Sequence, residues 1–323
     1  MTLQINQLLL LILFIILSGC DPVTENNKQV IEQDSQFEAI KITHSLGSSV
    51  INSIPKKVIA LDMNEVDTLA QLHIPIAGMP KDFVPHFLAN FEKDSDIQDL
   101  GAIVQPNIER VYALKPDLIL ISSLQANHYQ ALSKLAPTLY SEVNYMQSSD
   151  DQIKKIEEHI LSVGKIFNKQ ARANQVIDKL EAKIQSTRTK IENRSETAMI
   201  ILHNNGALRF FGPQSRYGFI YSALGMKSAS PSVEAGSHGQ PISHEFIYKY
   251  DPDIIYVIDR TAVMEGKSTI SYQDLENPLL RKTKAWKNNH IHVVDPEAWY
   301  VTGASYSALM IMMTDILVGY DLD

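Results

Sequence analysis

The chain has 323 residues, a formal net charge of −8, 45% hydrophobic residues and 20% charged residues. That balance is globular, and an acidic chain with no basic stripe to neutralise phosphates excludes a nucleic-acid partner. A single cysteine excludes a disulfide within the chain and a cysteine-based metal site.

The first feature in chain order is the apolar run from Leu8 to Leu17, which ends in Leu17-Ser18-Gly19-Cys20. It is shorter than the ~20 apolar residues a membrane-spanning helix needs. Its length and the small residues after it read as a signal peptide over 1–19. Cys20, directly after Leu-Ser-Gly, reads as a lipobox cysteine that carries lipid once the leader is removed. The alternative is a buried cysteine in an N-terminal helix. No Lys or Arg precedes Leu8, so the positive n-region is the terminal amine alone. The expected location is the periplasm, with a lipid anchor in the inner membrane because Asp21 follows Cys20, or the cell surface in a host without an outer membrane. Residues 20–37 form the lipidated cysteine and a polar, flexible tether. About 300 residues then remain, more than one ordinary core, which suits two domains.

From residue 38 the pattern is β/α. Val58–Leu61 is a short apolar strand, Met63–Leu72 has helical spacing, and Ile76-Ala77-Gly78 opens another strand. Leu118–Ile121 is a continuous apolar run, as in a parallel strand covered on both faces. Residues 150–196 contain no Pro and one Gly, and Ile156, Ile160, Val163 and Phe167 recur at the helical period. A second helical run, Gln170 to Glu192, would extend roughly 35 Å. It is either one arm of a surface hairpin of helices or a rigid spine between two lobes. Strands resume at Met199–Leu202, Ile254–Ile258 and Ile291–Val294, and Met310, Met312 and Met313 pack a C-terminal helix. The expected fold is α/β, with two lobes of mainly parallel sheet joined by one long helix. The N-terminal lobe occupies 38–167, the linking helix 168–193 and the C-terminal lobe 194–323.

An internal echo supports two related lobes. Glu109 precedes Pro116-Asp117 by seven residues, and Glu245 precedes Pro252-Asp253 by seven; an apolar strand follows each. Each unit reads as a helix stopped at proline and leading into a strand.

The segments Gly212-Pro213-Gln214-Ser215-Arg216-Tyr217-Gly218, Ser237-His238-Gly239-Gln240-Pro241-Ile242-Ser243, Val257-Ile258-Asp259-Arg260 and Trp299-Tyr300 give the chain a family likeness. From about Ile40 onward it resembles the periplasmic siderophore- and cobalamin-binding proteins of ABC importers. Leu61–Asp67 and Ala77–Pro85 bring it near the branch that handles anguibactin and acinetobactin. The resemblance implies a lipid-anchored monomer that binds a ferric siderophore between its lobes and passes it to an ABC permease and its ATPase. No intrinsic cofactor is implied; ferric iron arrives as the siderophore complex, and no reaction is catalysed. Alternatives are the same fold carrying haem, cobalamin or another chelate, or an extracytoplasmic α/β enzyme. No phosphate-binding glycine loop, Gly-x-Ser-x-Gly elbow or His-Glu-x-x-His is present.

A ferric siderophore is a hard cation wrapped in oxygen donors, often anionic and with flat rings. Its receptor needs facing cations and aromatic surface. Arg216 and Arg260 match the family's pocket arginines, and guanidinium stays charged when partly buried. The alternative is that Arg260 pairs with Asp259 or Asp253, and Arg216 with a surface carboxylate. His238 and Tyr300 match residues that donate to iron in relatives, with Tyr217 and Trp299 as further ligand-lining residues; a Trp299–Tyr300 core pair is the plainer reading. Where catecholate binders carry an arginine after the strand at Leu118, this chain has Leu124 and Gln125. One fewer cation favours a mixed, less anionic siderophore of catecholate or phenolate and hydroxamate type. Glu109 and Glu245 match the glutamates that dock on the permease, the alternative being two solvated helix carboxylates. His290 and His292 share one face of a strand, with no third ligand nearby to complete a metal site.

Overall fold

The computed structural model describes residues 37–143, 151–231 and 238–322. The leader over 1–19, Cys20, the tether up to residue 36 and Ser237 lie outside the described residues. Phe37–Asp323 is one compact unit. No helix of the described residues is long and apolar enough to cross a membrane.

The N-terminal lobe is built on a five-stranded parallel sheet. Its order is Gln98–Asp99, Gly78–Met79, Val58–Ala60, Leu118–Ile121 and Thr138–Tyr140. The two central strands are fully buried, with Ile59 opposite Ile119, which explains their unbroken apolar runs. The helix Met63–Gln71 follows directly, capped by the Asp62 side chain at the Asn64 N–H.

The C-terminal lobe departs from a purely parallel sheet. Thr197–Asn204 pairs in parallel with Ile254–Asp259, which pairs in parallel with Ile291–Val293. Along its other edge the top of Thr197–Asn204 pairs antiparallel with Ala207–Phe211, and its first two residues pair with Lys227–Ser228. Gln240–Ile242 adds a further antiparallel strand to Ala207–Phe211. The hairpin has a physical signature: Asn205 and Gly206 lie between the paired Asn204 and Ala207 and have φ of 48° and 84°, the left-handed pair of a tight two-residue turn. The local Asn-Gly signal points to this turn, whereas the β/α pattern does not.

The Pro-Asp echo is structural. The helices Ile108–Leu114 and His244–Tyr250 each have seven residues, and each ends on a left-handed cap, Lys115 and Asp251. Asp117 then accepts from the backbone N–H groups of Lys56 and Lys57 at 2.7 and 2.9 Å. Asp253 accepts from the Thr197 N–H and hydroxyl at 2.9 and 3.0 Å. Each Pro-Asp thus secures the start of its lobe's neighbouring central strand.

The helix Gln170–Ile191 has 22 residues and spans about 33 Å. Its buried side chains include Ala173, Val176, Ile177, Leu180 and Ile191. The length argument for separate cores is only partly matched. Two apolar clusters belong to single lobes, but the largest runs from Val66 and Leu69 through Val176 and Leu180 to Ile200, Trp299 and Met312. Polar contacts reinforce this shared core. Asp67 accepts from the Ser307 N–H and hydroxyl, both at 2.7 Å, and the Arg172 Nε donates to the Gln71 carbonyl at 2.7 Å.

Candidate functional site

Leu124 follows the strand Leu118–Ile121, Arg260 follows Ile254–Asp259 and Tyr300 lies beyond Ile291–Val293, at the C-terminal strand ends where open α/β sheets present binding groups. Asp259 ends its strand and caps the following helix, Arg260–Glu265, through the N–H groups of Thr261 and Ala262. Its other oxygen accepts from the Ile270 N–H at 3.0 Å, and His203 lies 3.2 Å away. Arg260 is therefore projected from a fixed turn. It pairs with neither Asp259 nor Asp253: its Nε donates to the Tyr300 hydroxyl at 2.6 Å and its Nη1 to Asn204 Oδ1 at 3.0 Å.

Tyr300 comes from a π-helical turn, Glu297–Thr302, of the kind that recurs at functional sites. Both guanidinium groups flank its ring, Arg260 at 5.4 Å and Arg216 at 5.7 Å from the centroid. Arg216 is 4% exposed, and its Nη2 donates to the Tyr300 carbonyl at 3.2 Å. Gly303, at φ 63°, lets the backbone pass close beside it, since a Cβ there would sit 3.1 Å from Arg216 Nη2.

Arg216, Arg260, His238 and Tyr300 line one cavity of about 340 Å³ together with Phe83, Ile103, Val104 and Leu124. The same four also line an adjoining chamber of about 300 Å³ with Asn204, Arg209 and Phe211. Each falls in the size range of small-molecule sites. The chemistry is asymmetric. The C-terminal lobe supplies the cations, and the N-terminal lobe supplies an apolar wall that includes the exposed Phe83 and Val104. No carboxylate lines either chamber among the described residues. The arrangement suits a compact anionic ligand with one flat, apolar side.

Trp299 and Tyr217 do not line either chamber. Both are fully buried, 5.4 Å apart, in the shared core. Trp299 stacks on Tyr256 and donates through Nε1 to Asp315 at 2.8 Å, and burial pushes the Asp315 carboxyl up to about 6. Tyr217 donates to the Trp299 carbonyl at 2.7 Å, and burial pushes its phenol up to about 12. Their contribution is to hold Arg216 and the Tyr300 turn in place.

Three wall residues, Phe83, Ile103 and Val104, and one cation, Arg209, were not singled out as site residues by the sequence. Arg209 donates to the carbonyls of His238 and Gly239, fixing the loop that carries the imidazole. Leu124 completes the apolar wall, and the fully buried Gln125 donates to the Ile103 carbonyl at 2.6 Å, holding that wall's strand turn. Phe83 lies within the segment Ala77–Pro85 without a role assigned to it, and Ile103 and Val104 had no motif to announce them. Glu109 and Glu245 lie away from the cavity lining, both exposed, each second in its seven-residue helix. His290 meets Asp321 at 3.1 Å, and the ring of His292 is held below its ordinary pKa by burial. The one His–carboxylate group among the described residues with metal-like spacing is elsewhere: His86, Asp295 and Glu297, where the Nδ1 of His86 meets Glu297 at 2.9 Å across the lobes.

Known proteins share this architecture. The ferric-anguibactin-binding protein of Vibrio anguillarum is 50% identical over 94% of this chain and 94% of its own length. The petrobactin-binding protein of Bacillus subtilis is 32% identical over 96% of each. A solved siderophore-binding protein, bound to a complex of two acinetobactin molecules and ferric iron, is 53% identical. It matches 88% of this chain and all of that one with a TM-score of 0.85. The family model described as periplasmic binding protein matches residues 58–298, and the chain belongs to that family.

Proposed function

We propose that this chain is the substrate-binding lipoprotein of an ABC importer, and that it captures a ferric siderophore between its lobes for delivery to an inner-membrane permease and its ATPase. The observation that carries this is the convergence of Arg216, Arg260, His238 and Tyr300 on chambers that no carboxylate lines among the described residues. Relatives named for ferric anguibactin, petrobactin and a ferric acinetobactin complex support the cargo class. Leu124 in the apolar wall favours a mixed catecholate or phenolate–hydroxamate chelate over a tris-catecholate, whose larger negative charge calls for another cation. The guanidinium groups hold the chelate's oxygens by charge-assisted hydrogen bonds, and the wall covers its flat side. His238 and Tyr300 are candidate donors to an incompletely wrapped iron. The protein acts as a monomer, binds without altering its cargo, and is held at the inner membrane through lipid on Cys20.

The test is tyrosine and tryptophan fluorescence quenching across ferric anguibactin, ferric acinetobactin, ferric enterobactin, haem and cobalamin, with native mass spectrometry of each mixture. Tight quenching by the mixed siderophores, with intact cargo in the complex, is the expected result. Preference for haem or cobalamin, or a modified ligand, would overturn it. A visible charge-transfer band that disappears in Tyr300→Phe would identify phenolate on iron. Lipid labelling abolished by Cys20→Ala would establish the anchor.

A further inference from the structure

The group His86, Asp295 and Glu297 lines neither chamber, and it sets one side chain of the N-terminal lobe against two of the C-terminal lobe. Each is placed by its own element. Pro85, at φ −61°, leads into the short turn His86–Leu88, which Leu88 anchors at 2% exposure. Asp295 fastens the start of the turn Glu297–Thr302: its Oδ1 accepts from the N–H groups of Glu297 at 3.0 Å and Ala298 at 2.9 Å. Its Oδ2 lies 3.6 Å from the His86 Nδ1. Glu297 Oε2 accepts from the His86 backbone N–H at 2.6 Å and lies 2.9 Å from the His86 Nδ1. One ligand atom from each residue lies within 4.8 Å of the other two. Two carboxylates thus share a small space, and among the described residues neither has a lysine or arginine ion-pair partner; their only one is His86. Like charges held this close are costly unless a cation is shared between them.

We propose that His86, Asp295 and Glu297 form a site for one divalent cation of the zinc type, with water completing the coordination shell. One imidazole and two carboxylates make a mixed nitrogen–oxygen set, which suits a borderline first-row ion better than calcium or magnesium, whose shells are all oxygen. Ligand atoms around a tetrahedral zinc, at bonds of roughly 2.0–2.2 Å, are about 3.3 Å apart, so the 2.9 and 3.6 Å separations need only small adjustments. The ion staples the lobes beside the cavity: Phe83 of the apolar wall lies three residues before His86, and Tyr300 three residues after Glu297. It is distinct from chelated iron in the chambers, and zinc binding here does not depend on what the chambers carry.

The experiment uses the full-length protein in detergent, stripped with a chelator and dialysed, and titrated calorimetrically with zinc chloride alone. Wild type is compared with His86→Ala, Glu297→Gln and the control His290→Ala, whose imidazole meets a different carboxylate, Asp321, at 3.1 Å. Thermal melting and amide exchange are followed with and without zinc. The expected result is a one-equivalent site in wild type and His290→Ala. Losing one of three ligands costs at least what losing an outer-shell partner does, so affinity should fall roughly tenfold or more in His86→Ala and Glu297→Gln. Zinc should raise the melting temperature of wild type and His290→Ala only, and in wild type it should slow exchange in both 84–88 and 295–302. The His86 side chain is 58% exposed, so His86→Ala should melt as wild type without zinc, which separates loss of a ligand from loss of fold. If it melts lower, Glu297→Gln decides, because its amide oxygen can still accept from the His86 N–H. No saturable zinc binding by wild type, full binding in both ligand variants, an equal loss in His290→Ala, or protection confined to one lobe would each overturn the proposal.

Discussion

Arg260 is held by hydrogen bonds from its own guanidinium to the Tyr300 hydroxyl and Asn204, so its remaining N–H groups are aimed before a ligand arrives. Such pre-positioned charge–oxygen bonds are worth about 1.5–3 kcal/mol each. Arg260→Met should therefore weaken ferric acinetobactin roughly 10- to 100-fold in quenching titrations, with little change in melting temperature, because the side chain is only half-buried. Leu124 tests the opposite wall. Leu124→Arg places a cation beside Ile103 and Val104 and should shift relative affinity from mixed siderophores toward ferric enterobactin, measured as the ratio of the two dissociation constants. An unchanged ratio would remove charge as the basis of selectivity.

At the scale of elements, the C-terminal helix Tyr306–Gly319 shows how tightly the site's floor is packed. Tyr256 stacks on Trp299 and donates to the Ile316 carbonyl at 2.8 Å, directly against Gly319. A Cβ at Gly319 would sit 2.2 Å from the Tyr256 hydroxyl. Gly319→Ala should cost about 1–3 kcal/mol in urea unfolding, through overpacking that helix propensity cannot offset. Because Tyr256 supports Trp299 and Trp299 neighbours Tyr300, ligand affinity should fall as well. A neutral substitution would mean that the helix end shifts without strain.

The whole molecule is fastened across its lobes, which limits closure. Asp67, fully buried, satisfies both the N–H and hydroxyl of Ser307 near the start of the C-terminal helix. Asp67→Ala leaves those donors without their acceptor and should cost about 2–3 kcal/mol in urea unfolding. Amide exchange should also quicken around Ser307. Nearby, the buried pair Glu65–His159 is 2.7 Å apart. Burial pulls the imidazole down, but the Glu65 carboxylate outweighs it and leaves His159 above its ordinary value of 6.5. A raised folded value means the stabilisation is complete below the unfolded pKa of about 6.5 and disappears as pH rises through the folded value. Asp315 acts in the same direction only from 3.8 up to its value of about 6. The unfolding midpoint should thus decline above neutral pH, and His159→Gln should remove that slope.

Much of this molecule could be read from the chain because the signals are local. Val58–Ala60 and Leu118–Ile121 are apolar without alternation because both faces are covered, and the linking helix is long, polar outside and free of proline. The Pro-Asp echo marked equivalent strand starts, and Arg216, Arg260, His238 and Tyr300 do meet at one cavity. What the chain could not disclose depends on which surfaces come together. Trp299 and Tyr300 are neighbours of similar chemistry, yet a π-helical turn sends one ring to the core and the other to the cavity. Phe83, Ile103 and Val104 are ordinary apolar residues that come to line a cavity with the two arginines only because the other lobe stands opposite. Arg209 gains its place from an antiparallel hairpin that the β/α rhythm concealed. Periodicity and turn chemistry act over a few residues; the facing of two lobes is set by packing between segments more than a hundred residues apart.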